Sequence, residues 1–140
     1  PKGERGLCRF VRAANYSHKD KNDYIKDSNA NLKLTLQIEG KKGIDNLDSI
    51  LSIHNLESIM IGPYDLSQSL GMPGDIWNEE VTNEMLEIIK KCKKLNIQVG
   101  TFTDTIEGIN FWKERGIDFI EYASDLNLLL DSIKNLKKGL

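Results

Sequence analysis

Residues 34–39 read LTLQIE, and residues 59–67 read IMIGPYDLS. Each stretch opens apolar and closes polar. In the first, Leu34, Leu36 and Ile38 alternate with Thr35, Gln37 and Glu39, and a period of two sends these sets to opposite faces of a strand. The second breaks at Gly62-Pro63 and then presents Asp65. A strand with an apolar body and a carboxylate at its tip fits a parallel α/β sheet, where ligands gather at the carboxyl ends of the strands.

The same alternation of short apolar runs and helical spacing recurs along the chain. Strands are predicted near 33–38, 58–61, 97–100 and 117–122. Helical spacing is predicted in LCRFVRAANY (7–16), DYIKDSNA (23–30) and GIDNLDSILSI (43–53), the last placing Ile44, Leu47, Ile50 and Leu51 on one face. A loop is predicted over 62–76. Asn78 caps a long helix with Glu79 and Glu80 in its first turn and Val81, Met85, Ile88, Ile89 and Cys92 on its apolar face. Thr103 or Asp104 is expected to cap the next helix, Gly116 to close it, and a final helix to run over 126–138. Four strand–helix units in a row predict a parallel sheet with helices packed on it.

Bulk properties narrow the function. With 140 residues, 39% hydrophobic and 29% charged, the chain can form one ordinary globular domain. The net charge of −2 comes from interspersed signs, so no nucleic-acid surface is expected. KKCKK (90–94) ends a predicted helix, where cations suit the carbonyl end of the dipole. No apolar run approaches the roughly 20 residues of a membrane span, and no signal peptide is apparent, so a cytoplasmic location is expected. Cys8 and Cys92 lack metal or disulfide spacing and read as reduced thiols.

The strand tips carry the chemistry. Glu39 and Asp65 follow consecutive strands, which in such a sheet are neighbours about 4.8 Å apart. Brought together they would repel, and a hard divalent cation such as Mg²⁺ or Mn²⁺ removes the conflict. Singly, Glu39 could merely start a loop, and Asp65 could merely cap a short helix. Gly62 and Pro63 would bring a stiff backbone close to a ligand, leaving the N–H groups of Tyr64 and Asp65 for an anionic oxygen. Gln37 could donate to the same ligand or tie neighbouring loops together. Arg5, in a glycine-flanked loop, could pair with a substrate carboxylate or with protein acids. Tyr64, Met72 and Trp77 could shape a pocket or simply pack. His18 and His54 are expected at the surface, away from the site face.

The segments PKGERG, RAANY, LTLQIEGKKGIDNLDSI, IMIGPYDLSQSLGMPG and YASDLNLL occur in this order. Together they resemble the HpcH/HpaI aldolase/citrate lyase family of metal-dependent pyruvate aldolases, over essentially the whole chain. The resemblance implies a TIM (β/α)8 barrel with a divalent metal, Mg²⁺ or Mn²⁺ with Co²⁺ also conceivable, at its carboxyl end. It implies that Glu39 and Asp65 hold the metal. Gln37 and the backbone of Gly62, Pro63, Tyr64 and Asp65 would contact pyruvate, and Arg5 would border the site. The implied reaction is cleavage or formation of 4-hydroxy-2-oxo acids, giving pyruvate and an aldehyde through a metal-stabilised enolate. Alternatives are a citrate synthase- or citrate lyase-like chemistry on the same site, or a non-catalytic half-barrel. A barrel of this kind needs about 250 residues. Residues 1–140 are therefore expected to be the C-terminal portion of one barrel domain, supplying about its last four units. The catalytic base is expected in the N-terminal half, so this portion alone should be inactive. The resemblance further implies a homo-oligomer, a hexamer, acting on small oxo acids.

Overall fold

The computed structural model describes Glu4 and residues 6–139. These divide into two compact units, residues 1–33 and residues 34–140.

In the first unit a 3-10 turn, Arg12–Ser17, precedes helix α1, Lys21–Asn31. The sequence predicts a helix over 7–16, but Asn15, Tyr16 and Ser17 take positive φ values, which no helix continues through. Helix α1 starts where Asp20 accepts a hydrogen bond from the Asn22 amide at 2.7 Å. It buries no residue, in keeping with its polar composition. Lys19 pairs with Asp27 at 2.6 Å on its exposed side.

The second unit holds the sheet. Strands β1 (Leu34–Ile38), β2 (Leu56–Ile61), β3 (Gln98–Thr103) and β4 (Phe119–Tyr122) are all parallel, in the order β1-β2-β3-β4. Every crossover is helical: α2 (Lys41–Asp45) and α3 (Leu47–Leu51), then α4 (Pro63–Ser69) and α5 (Glu79–Lys94), then α6 (Ile106–Glu114); α7 (Asp125–Lys138) follows β4. This is the predicted strand–helix alternation, and four such units in sequential order are consistent with part of a (β/α)8 barrel.

One face of the sheet lies under helices. Ile38, Ile59, Ile61 and Val99 are buried there, packed with Val81, Met85, Ile88, Ile89 and Cys92 of α5. The five α5 positions are those its spacing predicts, and Asn78 caps the helix by accepting from the Glu80 amide at 3.0 Å. Burial pushes the Cys92 thiol up to about 11 against the opposing charge of Lys93. Cys8 is exposed, and both thiols are free. Trp77 stacks on Trp112 and Phe111 meets both edge-on, with ring centroids 4.9–6.2 Å apart, and Arg115 lies 3.5 Å from the Phe111 ring centre. Trp77 therefore packs in this cluster, and Met72 packs against the core.

The helices depart from expectation in three places. Residues 62–76 are not all loop, because Pro63 opens α4 with the fixed φ that suits a first helical position. The helix predicted over 43–53 is broken at Asn46 into α2 and α3. The cap of α6 is neither Thr103 nor Asp104: Thr103 is the last residue of β3, and Thr105 accepts from the Gly108 amide at 3.0 Å. Gly116 closes α6 at φ +90 as expected.

Asp118 ties β3 to β4. Its carboxylate accepts from Lys93 at 2.5 Å and from the Val99 amide at 2.8 Å. Burial opposes the charge, but Lys93 and that amide outweigh it and hold the carboxyl below its usual value of 3.8. Just beyond β4, Ala123 sits at φ +53, a left-handed conformation uncommon for a residue with a Cβ. Helix α7 leaves Leu126, Leu129 and Leu136 exposed. No helix among the described residues is long and apolar enough to cross a membrane.

Candidate active site at the carboxyl ends of the strands

The register assigns the second face of the sheet. Thr35 pairs with Ser58 and Ser58 with Gln98; Gln37 pairs with Met60, Met60 with Gly100, and Gly100 with Phe119; Phe102 pairs with Glu121. Paired residues of parallel strands share a face, so these side chains stand opposite the helix-covered core. The Thr35 and Ser58 hydroxyls lie 2.6 Å apart within this layer. Thr35, Gln37 and Glu39 are exposed while Ile38 is buried, so the alternation in LTLQIE separates two faces.

At the carboxyl ends this face opens into a cavity of about 250 Å³, lined by Gln37, Met60, Gly62, Pro63, Tyr64, Asp65, Phe102 and Glu121. Glu39 stands directly after β1, and the Gly62 amide donates to the Ile38 carbonyl at 3.1 Å, extending the pairing of β1 and β2 to their tips. Gln37 donates through Nε2 to Glu39 Oε2. A Cβ at Gly62 would meet Gln37 Nε2, Glu39 Cβ and Glu39 Oε2 at 3.0 Å, so the absent side chain is what lets the two tips approach. Asp65 lies in the first turn of α4, whose cap position is Gly62, so it is not the helix cap.

Tyr64 shapes the rim. Its hydroxyl donates to Asp104 Oδ2 at 3.1 Å, and its ring meets Phe102 edge-on at 5.9 Å. Burial, and then the hydrogen bond and charge of Asp104, push the phenol above its usual range. Asp104 follows β3, so this contact bridges the ends of β2 and β3.

The structure thus brings Gln37, Glu39, Gly62, Pro63, Tyr64 and Asp65 together. Arg5 lies outside the described residues. His54 precedes β2, at the amino end of the strands, and His18 belongs to the first unit. Sequence reasoning missed Met60, Phe102, Asp104 and Glu121. The available signal was the period of two already used on β1: in FIEY, Glu121 is in phase with Phe119, whose ring packs over Gly100.

Two carboxylates, an amide and a small cavity suit a hard cation, which accepts oxygen ligands and commonly keeps several waters. No group of three or more His, Cys, Asp or Glu positioned for a metal occurs among the described residues.

Residues 1–132 match the HpcH/HpaI aldolase/citrate lyase family. Relatives include a hydroxypyruvate/pyruvate aldolase of Paraburkholderia phytofirmans, 31% identical over 91% of this chain and 48% of that protein. A 2-keto-3-deoxy-L-rhamnonate aldolase of Escherichia coli is 31% identical over 99% of the chain and 54% of that protein. The crystal structure of an HpcH/HpaI aldolase/citrate lyase family protein from Burkholderia cenocepacia superposes with a TM-score of 0.89 at 28% identity, covering 99% of this chain and 53% of that one. The chain spans about half the length of the curated relatives it matches.

Proposed function

Because the chain belongs to the HpcH/HpaI aldolase/citrate lyase family, we propose that it supplies the cation-holding part of an aldolase that interconverts a 4-hydroxy-2-oxo acid with pyruvate and an aldehyde. The observation that supports this reading is the position of Glu39 just past β1 and of Asp65 in the turn that follows β2, with Gly62 against Glu39 and a cavity lined by Gln37, Gly62 and Asp65 alongside.

In the cleavage direction, the 4-hydroxyl proton leaves to a base, the C3–C4 bond breaks, and the electron pair moves onto the 2-oxo oxygen. Protonation of C3 then gives pyruvate. The chain's residues answer the charges of this sequence. Glu39 and Asp65 would hold Mg²⁺ or Mn²⁺, which when bound supplies Lewis-acid stabilisation of the negative charge developing at the 2-oxo group. Gln37 orients Glu39 through its hydrogen bond and presents its remaining N–H to the substrate. The amides of Tyr64 and Asp65 are first-turn donors without intrahelical acceptors, suited to a substrate carboxylate. Met60 and Phe102 border the cavity with apolar surface, which limits water at the reacting carbon. The proton acceptor is assigned to residues beyond this chain, in a protein of the relatives' length.

The test uses the complete protein. Pyruvate release should be measured across a panel of 4-hydroxy-2-oxo acids before and after exhaustive chelation. Release that stops on chelation and returns with Mg²⁺ or Mn²⁺ supports the reading. Undiminished release, or covalent trapping of pyruvate by borohydride, would point to a lysine imine instead.

A further inference from the structure

The cavity reaches across the whole sheet, from Gln37 on β1 to Glu121 on β4. Three strand spacings of about 4.8 Å separate those positions. Glu39 and Asp65 sit at the β1 and β2 end, so on the aldolase reading the pyruvate part of the substrate occupies that end. The aldehyde part then lies over β3 and β4, against Glu121 and the Tyr64 ring, to which that reading gives no role, and against the apolar surface of Phe102.

Those residues have a definite chemistry. Phe102 and the Tyr64 ring meet edge-on and close one side. Asp104 holds the Tyr64 hydroxyl, fixing the ring. Glu121 adds a carboxylate to the lining, paired in register with Phe102. No lysine, arginine or histidine is among the described residues that line the cavity.

We propose that Tyr64, Phe102 and Glu121 form the aldehyde subsite, with Asp104 as the residue positioning Tyr64, and that this subsite selects a short, uncharged hydroxyaldehyde over an aldehyde carrying a carboxylate. The inference rests on the aldolase reading above and names the partner that reading leaves open. A hydroxyl on the aldehyde can donate to Glu121, and another to the Tyr64 oxygen, whose proton is committed to Asp104. A carboxylate in the same place meets Glu121 as a like charge, and such juxtaposition is an effective means of rejection. Chain length is limited separately by the fixed Tyr64 ring.

The test is aldol addition by the complete protein, comparing glycolaldehyde with glyoxylate, which are similar in size and differ in charge, and glycolaldehyde with the longer neutral erythrose. Wild type should prefer glycolaldehyde in both comparisons. Glu121→Gln should raise the glyoxylate-to-glycolaldehyde ratio of kcat/KM by about tenfold. Tyr64→Ala should raise the erythrose-to-glycolaldehyde ratio by about tenfold or more. Tyr64→Phe, which keeps the ring and loses its tether, should raise the second ratio less. Deuterium exchange into the pyruvate methyl group, run without any aldehyde, reads the aldolase reading on its own. Exchange with ratios that do not move, or a wild-type preference for glyoxylate, overturns the subsite and leaves the aldolase reading standing. Absence of exchange in the metal-loaded wild type overturns both.

Discussion

Replacing Gly62 by alanine perturbs the candidate site without removing a proposed ligand. The Gly62 backbone, at φ −91 and ψ 94, is open to alanine. The new Cβ would lie 3.0 Å from Gln37 Nε2, Glu39 Cβ and Glu39 Oε2, where ordinary contact begins at 3.4 Å. Each neighbour must therefore retreat by a few tenths of an ångström. Gln37 and Glu39 are exposed side chains, so the fold can absorb that shift. The reduced freedom of the unfolded chain also contributes about 0.4–1 kcal/mol toward stability. Net stability should stay within about 1 kcal/mol of wild type on these terms. The site has less tolerance, because disturbing the support of a metal ligand commonly costs about 10–100-fold in affinity. That range corresponds to about 1.4–2.8 kcal/mol of binding free energy. Isothermal titration of the complete protein with Mn²⁺, paired with thermal denaturation, separates the two effects. A folded Gly62→Ala variant that binds Mn²⁺ as tightly as wild type would refute the placement of a cation at these strand tips.

Three further outcomes are expected. Glu39→Gln and Asp65→Asn should each weaken Mn²⁺ binding at least tenfold and abolish pyruvate release while leaving the melting temperature within a few degrees, on the order expected for surface substitutions; unchanged affinity in both sinks the ligand assignment. Asp118 has a folded pKa below 3.8, so its stabilisation is fully present above that value and is lost as pH falls through the lower folded value. Urea midpoints measured from pH 6 down to pH 2 should therefore show a shallower acid loss in Asp118→Asn, and parallel curves would count against the Lys93–Asp118 contact. Ala123→Gly should stabilise the protein by up to about 1 kcal/mol, since glycine relieves the left-handed backbone at φ +53; a drop in urea midpoint would show that the alanine methyl packs productively.

The sheet was legible because parallel strands buried under helices leave continuous signals. Five apolar positions of α5 and its Asn78 cap follow directly from spacing, and LTLQIE declares its own two faces. The positions of Glu39 and Asp65 just past β1 and β2 follow from the polar ends of LTLQIE and IMIGPYDLS. Helix α4 was hidden by Gly62-Pro63, which mark a turn and a helix start equally well. Thr103 was misread as a cap because a buried threonine on a strand and a capping threonine look alike in sequence; only its position in β3 tells them apart. Glu121 and Phe102 became visible through register, since which residue of β4 stands beside which residue of β3 depends on how the strands slide together.

The two thiols differ enough to serve as separate reporters. Cys8 is open to solvent, whereas Cys92 is sealed between α5 and the sheet with its thiol held near 11. A maleimide dye at neutral pH should tag Cys8 at once and reach Cys92 only when α5 lifts away, because the thiolate is the reacting form. Labelling at Cys92, read on its own peptide by mass spectrometry, would therefore act as a stopwatch for the opening of this core.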